Sequence, residues 1–140
     1  MTVTIRWAQA TDAAFPFVAE HVPPDVVASR IAASRIVIAE LDGRPVGALQ
    51  LEYLWGTRPY IALIRVESGA QRQGVGRALL EFVAHALRIT GHQHLYSSSQ
   101  LNEPEPQAWH RHMGFQECGL LAGVNPDGVG EVFFVKPLTP

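Results

Sequence analysis

The residues with the clearest chemical meaning lie in one run, Gln71-Arg72-Gln73-Gly74-Val75-Gly76-Arg77. Gly74 and Gly76 carry no Cβ, so a ligand can approach their backbone closely. An amphipathic pattern begins at Val75 and places the run at a helix N-terminus. The first four amides of a helix have no acceptor inside it. The aligned peptide dipoles add roughly half a positive charge at that end. Together they make an anion site, best suited to phosphate. Arg72 and Arg77 can add charge at its rim. Two common nucleotide loops fail on particular residues. A GxxxxGK[ST] loop needs Lys followed by Ser or Thr, and neither pair follows these glycines; a GxGxxG turn needs a third glycine where Leu79 stands. The residues alone imply a phosphate-bearing ligand at the start of this helix.

The flanking segments must position that run. Residues 60–66 are nearly all apolar and β-branched, which predicts a central strand buried on both faces. Residues 67–73 form a polar connection. Val75, Leu79, Phe82, Val83, Ala86 and Leu87 then follow the spacing of one helix face. Arg77 and Glu81 form an i, i+4 pair on the outer face. Arg88 suits the last turn, and Gly91 suits the C′ position.

Upstream, residues 3–7 alternate apolar and polar as a half-buried strand does. Thr11-Asp12 offers N-cap chemistry for a short helix with Pro16 in its first turns, and Pro23-Pro24-Asp25 starts another helix through about Ala33. Residues 35–40 and 46–55 read as strands around Leu41-Asp42-Gly43-Arg44, where Asp-Gly is a hairpin signal. Residues 56–59 read as a turn. Downstream, the pattern predicts a strand at 94–98, a loop at 102–106, and a short helix at 107–113 closed by Gly114. Strands at 115–121 and 131–136 follow, joined by the turn-rich residues 123–130. Alternating strands and helices with an antiparallel hairpin predict a mixed α/β sheet.

The chain has 140 residues, 47% hydrophobic and 17% charged, which suits one domain with a real core. A net charge of −2 lacks the basic footprint of a nucleic-acid binder. The single cysteine, Cys118, cannot close an internal disulfide; its place in a predicted strand suggests a buried thiol in a reducing compartment. The first six residues lack the order of a signal peptide. No uncharged apolar run reaches the roughly 18 residues of a membrane helix. These features lead to an expectation of a cytoplasmic protein without membrane or nucleic-acid partners. His92 and His94 share a strand face, whereas His110 and His112 do not share a helix face, and no Cys pair accompanies them. No metal is expected.

The run Gln71-Arg72-Gln73-Gly74-Val75-Gly76 resembles the Gln/Arg-x-x-Gly-x-Gly/Ala signature of the GNAT superfamily of N-acetyltransferases. Val66, eight residues before Gly74, also matches the family's strand end. Downstream, Trp109, Gly114 and Phe115 are similar to an aromatic-Tyr-x-x-x-Gly-Phe pattern. The resemblance spans essentially the whole chain as one domain, residues 1–140. It implies a mostly antiparallel sheet of six to seven strands, flanked by about four helices and splayed between the fourth and fifth strands. It further implies acetyl-CoA as co-substrate. Its pyrophosphate would lie on Gln71, Arg72, Gln73, Gly74, Val75, Gly76 and Arg77, with its pantetheine arm along Ile64 and Val66 and near Asn102. The Val66 amide would hold the oxyanion during direct transfer to a primary amine.

The chain departs from the family at His110, which stands where Tyr is frequent. A histidinium there could protonate the departing thiolate, given a reference pKa near 6.5. Glu52 leads Glu67, Glu103 and Tyr96 as candidate base, because the third strand borders the acceptor side in this fold. The acceptor is expected to be a small-molecule or peptide amine, and the family often forms homodimers. A non-catalytic acyl-CoA sensor is the alternative.

Overall fold

The computed structural model describes residues 2–139. Seven strands and four α-helices follow in the order β1 Val3–Trp7, α1 Pro16–Ala19, α2 Pro24–Ala32, β2 Ile36–Leu41, β3 Arg44–Leu54, β4 Arg58–Val66, α3 Val75–Ile89, β5 His94–Gln100, α4 Pro104–His112, β6 Gln116–Leu121 and β7 Glu131–Pro137. The strands form one mixed sheet in the order β1-β2-β3-β4-β5-β7-β6. The chain divides into two compact units, Met1–Glu52 with Ala62–Ala86, and Tyr53–Ile61 with Leu87–Pro140. No helix of the described residues is long and apolar enough to cross a membrane.

In the first unit, β1, β2 and β3 pair antiparallel. The β2–β3 turn places Asp42 at φ 51° and Gly43 at φ 82°, the doubly left-handed geometry that an Asp-Gly hairpin favours. The strand buried on both faces is β3, not β4. Six consecutive residues of β3, Val46 to Leu51, are buried, whereas Ala62 and Arg65 of β4 are exposed. Gly47 explains part of this packing: a Cβ there would lie 3.0 Å from the Arg65 carbonyl oxygen and 3.5 Å from Leu79 Cδ1. Val18, Val27, Ile36, Ile38 and Ala48 form a core under α1 and α2, and each fully buried aliphatic side chain contributes roughly 1.5–3 kcal/mol.

Thr11 does not cap a helix. Residues Ala10–Ala14 form a 3₁₀ turn, and Asp12 reaches back to accept from the Gln9 amide at 2.7 Å. Asp12 also takes two bonds from the Arg6 guanidinium, at 2.8 and 2.9 Å, which hold its carboxyl below the usual range. Pro16 instead opens α1, where its missing N–H costs nothing.

In the second unit, β5 pairs antiparallel with β7, and β7 with β6. β4 and β5 are the parallel pair, in register at Tyr60 opposite Tyr96, and this pairing carries the split that the fold class expects. The strand β4 opens at Arg58, so Arg58 and Pro59 lie in it and the preceding turn is tighter than expected. Trp55 at φ 54° and Gly56 at φ 75° make that turn. Leu95, Ser97 and Ser99 are buried on the face shared with α4, while Tyr96, Ser98 and Gln100 are half-buried on the other. The helix α4 starts at Pro104, three residues early, because Pro at N1 promotes a helix start. Every residue of β6 is exposed. Cys118 is therefore exposed rather than buried: it sits on the sheet's edge strand, at a register slip between Glu117 and Gly119.

Candidate active site

The first unit holds the glycine loop. After β4 the chain makes a 3₁₀ turn at Ser68–Ala70, anchored by buried Ala70, and enters α3 at buried Val75. Two residues between them are left-handed, Arg72 at φ 66° and Gly74 at φ 79°. A Cβ on Gly74 would meet no atom within 4 Å, so the backbone there faces open space. The carbonyl of Gly74 accepts from the Ala78 amide at 2.9 Å, which starts the helical ladder and leaves the Val75 and Gly76 amides without helical acceptors. Gln71 Nε2 donates to the Val66 carbonyl at 3.2 Å, and Gln73 Nε2 donates to Gly69 O at 3.3 Å. Gln73 Oε1 is buried and has no hydrogen-bond partner among the described residues. Arg72 and Arg77 are exposed. The structure thus gathers Val66 and residues 71–77 at one helix end. Ile64 and Val66 are two apart on β4 and point to one face of it.

Glu52 lies in a cavity of about 400 Å³ lined by Asp25, Ser29, Arg30, Arg35 and Glu52. Its Oε1 accepts from Arg30 Nε at 2.7 Å, and its Oε2 lies 3.6 Å from Arg35 Nη1. Arg30 also donates to Gln50 Oε1 at 2.6 Å. These contacts fasten α2 to β3. Glu67 is likewise engaged, by Arg44 at 2.7 Å.

The second unit holds His110 and Asn102. His110 is 3% exposed, and its ring stacks on Phe134 with centroids 4.5 Å apart. Its Nδ1 lies 2.7 Å from the Pro106 carbonyl oxygen, and its Nε2 lies 2.7 Å from Ser97 Oγ. A carbonyl only accepts, so Nδ1 carries the proton and Nε2 accepts from the serine hydroxyl. Burial pushes the imidazolium down from its usual range, partly opposed by the Pro106 bond. The histidinium donor expected from sequence is therefore disfavoured at neutral pH: the apolar, stacked setting keeps the ring neutral, and both nitrogens are engaged. Asn102 is exposed in the turn between β5 and α4.

Sequence reasoning passed over one cluster. Tyr60 Oη lies 2.6 Å from Ser98 Oγ, which donates to Glu131 Oε2 at 2.6 Å, while Asn125 Nδ2 donates to Glu131 Oε1 at 2.8 Å. The one available signal was the polar run Ser97-Ser98-Ser99 inside a strand, since a middle serine must face away from its neighbours.

A family model described as an acetyltransferase (GNAT) domain matches residues 32–117. No curated protein sequence matches the chain. Among solved structures, the ribosomal-protein-S18-alanine N-acetyltransferase of Escherichia coli is 22% identical with a TM-score of 0.80, over 99% of this chain and 96% of that one. Ard1 of Thermoplasma volcanium is 17% identical with a TM-score of 0.84, over the whole of both chains. The N-acetylglutamate synthase of Neisseria gonorrhoeae, solved with coenzyme A and N-acetyl-glutamate, is 23% identical with a TM-score of 0.79, over all of this chain and 36% of that one. The structural likenesses give the fold. The family model spans the glycine loop, α3 and the Gly114-Phe115 pair, so the anion-ready helix end and the mixed sheet have one origin: this chain belongs to the GNAT family of acetyltransferases.

Proposed function

We propose that the chain transfers the acetyl group of acetyl-CoA directly to a primary amine of a small molecule or peptide. The observation that carries this reading is Gly74. Its left-handed backbone faces open space at the start of α3, where unsatisfied amides and the helix dipole favour a pyrophosphate. The residues present fit the cofactor. Gln71, Arg72, Gln73, Gly74, Val75, Gly76 and Arg77 would hold the pyrophosphate. Ile64 and Val66 offer strand backbone to the pantetheine arm, and Asn102 is assigned to the same arm. Gln73 Oε1, buried and without a partner among the described residues, supports a ligand here, because buried polar atoms are rarely left unpaired.

Acetyl-CoA supplies an activated thioester, and the chain's work is to orient it and stabilise charge. The Val66 amide is assigned to the developing oxyanion. His110 acts as a positioning residue for Ser97 and α4, and solvent protonates the thiolate. The residues 1–140 act as one catalytic domain. A second reading, a non-catalytic acyl-CoA sensor, draws support from His110, whose nitrogens are both spent on Pro106 and Ser97.

Calorimetric titration with acetyl-CoA, CoA and ATP tests the cofactor site. Binding of both CoA species but not ATP is expected; binding of neither ends the acyltransferase reading. Thiol release in the presence of an amine library then separates enzyme from sensor.

A further inference from the structure

The second unit holds a cavity of about 220 Å³, lined by Thr57, Arg58, His92, Gln93, His94 and Tyr96. No carboxylate is among the residues that line it, so its permanent charge is the Arg58 guanidinium. Arg6, Arg30, Arg35, Arg44, Arg65 and Arg111 each reach a carboxylate. Among the described residues Arg58 reaches none, and its side chain makes no hydrogen bond. The other cations of this region are engaged: Arg88 Nε donates to Leu138 O, and Lys136 Nζ donates to Met113 O at 2.7 Å.

The remaining polar groups of the cavity are donors in waiting. The His92 ring lies against Tyr53, centroids 6.0 Å apart, and the His94 ring against Tyr96, centroids 6.5 Å apart. These contacts orient both imidazoles without using their nitrogens. Among the described residues neither ring, nor the Tyr96 hydroxyl, has a hydrogen-bond partner. An imidazole carries at least one N–H, and a phenol one O–H. The end of α3 does not compete for them. Leu87 O accepts from the His92 amide at 3.0 Å and from Thr90 Oγ1 at 3.1 Å, and Arg88 O accepts from the Gly91 amide at 3.0 Å.

A metal is a poor fit. No third His, Cys, Asp or Glu joins His92 and His94 among the described residues, and the guanidinium repels a cation. An anion suits the set. A guanidinium meets phosphate through a two-pronged fork. A phosphoryl group also presents three strong acceptor oxygens, which suits donors arriving from both the start of β4 and residues 92–96. The volume falls below the roughly 300–1,000 Å³ of sites for drug-sized ligands, so the ligand is small.

We propose that this cavity binds the phosphoryl group of a small phosphate monoester. Arg58 supplies the charge and the fork, His92 and His94 supply N–H donors, and the Tyr96 hydroxyl completes the set. The strand β5 runs from His94 here to Gln100, opposite Glu131, about 20 Å away at 3.3 Å per residue. The site is therefore distinct from the Glu131 end of the strand. It stands whether or not the acyl-transfer reading holds.

The probe is glycerol 3-phosphate, compared with inorganic phosphate, acetate and Zn²⁺ by NMR at neutral pH. Saturable shifts at His92, His94 and Tyr96 are expected, with the ester binding more tightly than inorganic phosphate and at least about tenfold more tightly than acetate. Arg58→Gln should weaken ester binding at least about tenfold, the loss of one charge-assisted hydrogen bond. Its Tm should not change, because the exposed guanidinium holds nothing in the protein. Arg72→Gln, at the glycine loop, should leave these shifts as they are. No saturation, equal affinity for acetate, unchanged affinity in R58Q, or a loss that follows R72Q instead would overturn the site. Inorganic phosphate binding as tightly as the ester would overturn the monoester assignment. Saturation by Zn²⁺ with none by either phosphate would make the histidines metal ligands and overturn the proposal.

Discussion

Replacing Gly74 with alanine separates the backbone strain of the loop from its role as a cradle. At φ 79° an L residue costs roughly 1–2 kcal/mol more than glycine, so the variant should lose that much stability. For a chain of this size the loss corresponds to a fall of roughly 3–8 °C in Tm. The new methyl itself meets no protein atom within 4 Å, so no clash adds to that figure. A pyrophosphate seated on the loop would be pushed off one charge-assisted hydrogen bond, worth about 1.5–3 kcal/mol, or a 10- to 150-fold weaker Kd. Gly43→Ala is the matched control. It has φ 82°, open space around its Cβ, and a place in the β2–β3 turn, so it should show the same Tm loss with unchanged affinity. Differential scanning calorimetry and acetyl-CoA titration on both variants give the two numbers. If G74A binds acetyl-CoA as the unaltered protein does, or if G43A loses as much affinity, the cradle argument is refuted.

Other variants test the framework. His110 is neutral when folded and takes a proton near pH 6.5 when unfolded, so its contribution is present above about 6.5 and is lost as pH falls towards its lowered folded pKa. The Tm of His110→Phe relative to the unaltered protein should therefore rise between pH 8 and pH 5, and a constant difference would mean the ring is not held neutral. Asp12→Asn should cost about 2–3 kcal/mol in urea unfolding, since it breaks charge-assisted bonds to Arg6. Because that carboxyl is held low, its contribution is complete above about pH 4 and fades below it; a loss that persists equally at pH 2 would contradict the pairing. Gly47→Val places carbon 3.0 Å from the Arg65 carbonyl and should cost about 1–3 kcal/mol in thermal unfolding, with no loss expected if β3 and β4 were not in close contact there.

The glycine loop and α3 were legible because their signals are local: a 3.6-residue period, two glycines and a strand before them. The Asp-Gly hairpin was legible for the same reason. Relations between distant residues were not. Arg6 with Asp12, Arg30 with Glu52 and Tyr60 with Glu131 depend on which side chains the sheet brings together, which no window of sequence reports. The exchange of β3 for β4 as the strand buried on both faces has a similar cause: hydropathy marked both as apolar, and only the placement of Arg65 and Ala62 decided between them. His110 could be placed by its spacing to Gly114, but its burial, which lowers its pKa, involves stacking on Phe134, 24 residues away in sequence.

The register slip at Cys118 bears on how the protein behaves in concentrated solution. An edge strand with an unpaired row of amides and carbonyls, here carrying exposed Leu120 and Leu121, is a template on which other chains can polymerise. The bulge between Glu117 and Gly119 twists that row out of the flat geometry that stacking needs, and the Arg111–Glu117 ion pair sets charge beside it. Straightening the strand by deleting Cys118 would convert a guarded rim into an adhesive one, and the protein would be expected to form fibrils while its fold stayed otherwise unchanged.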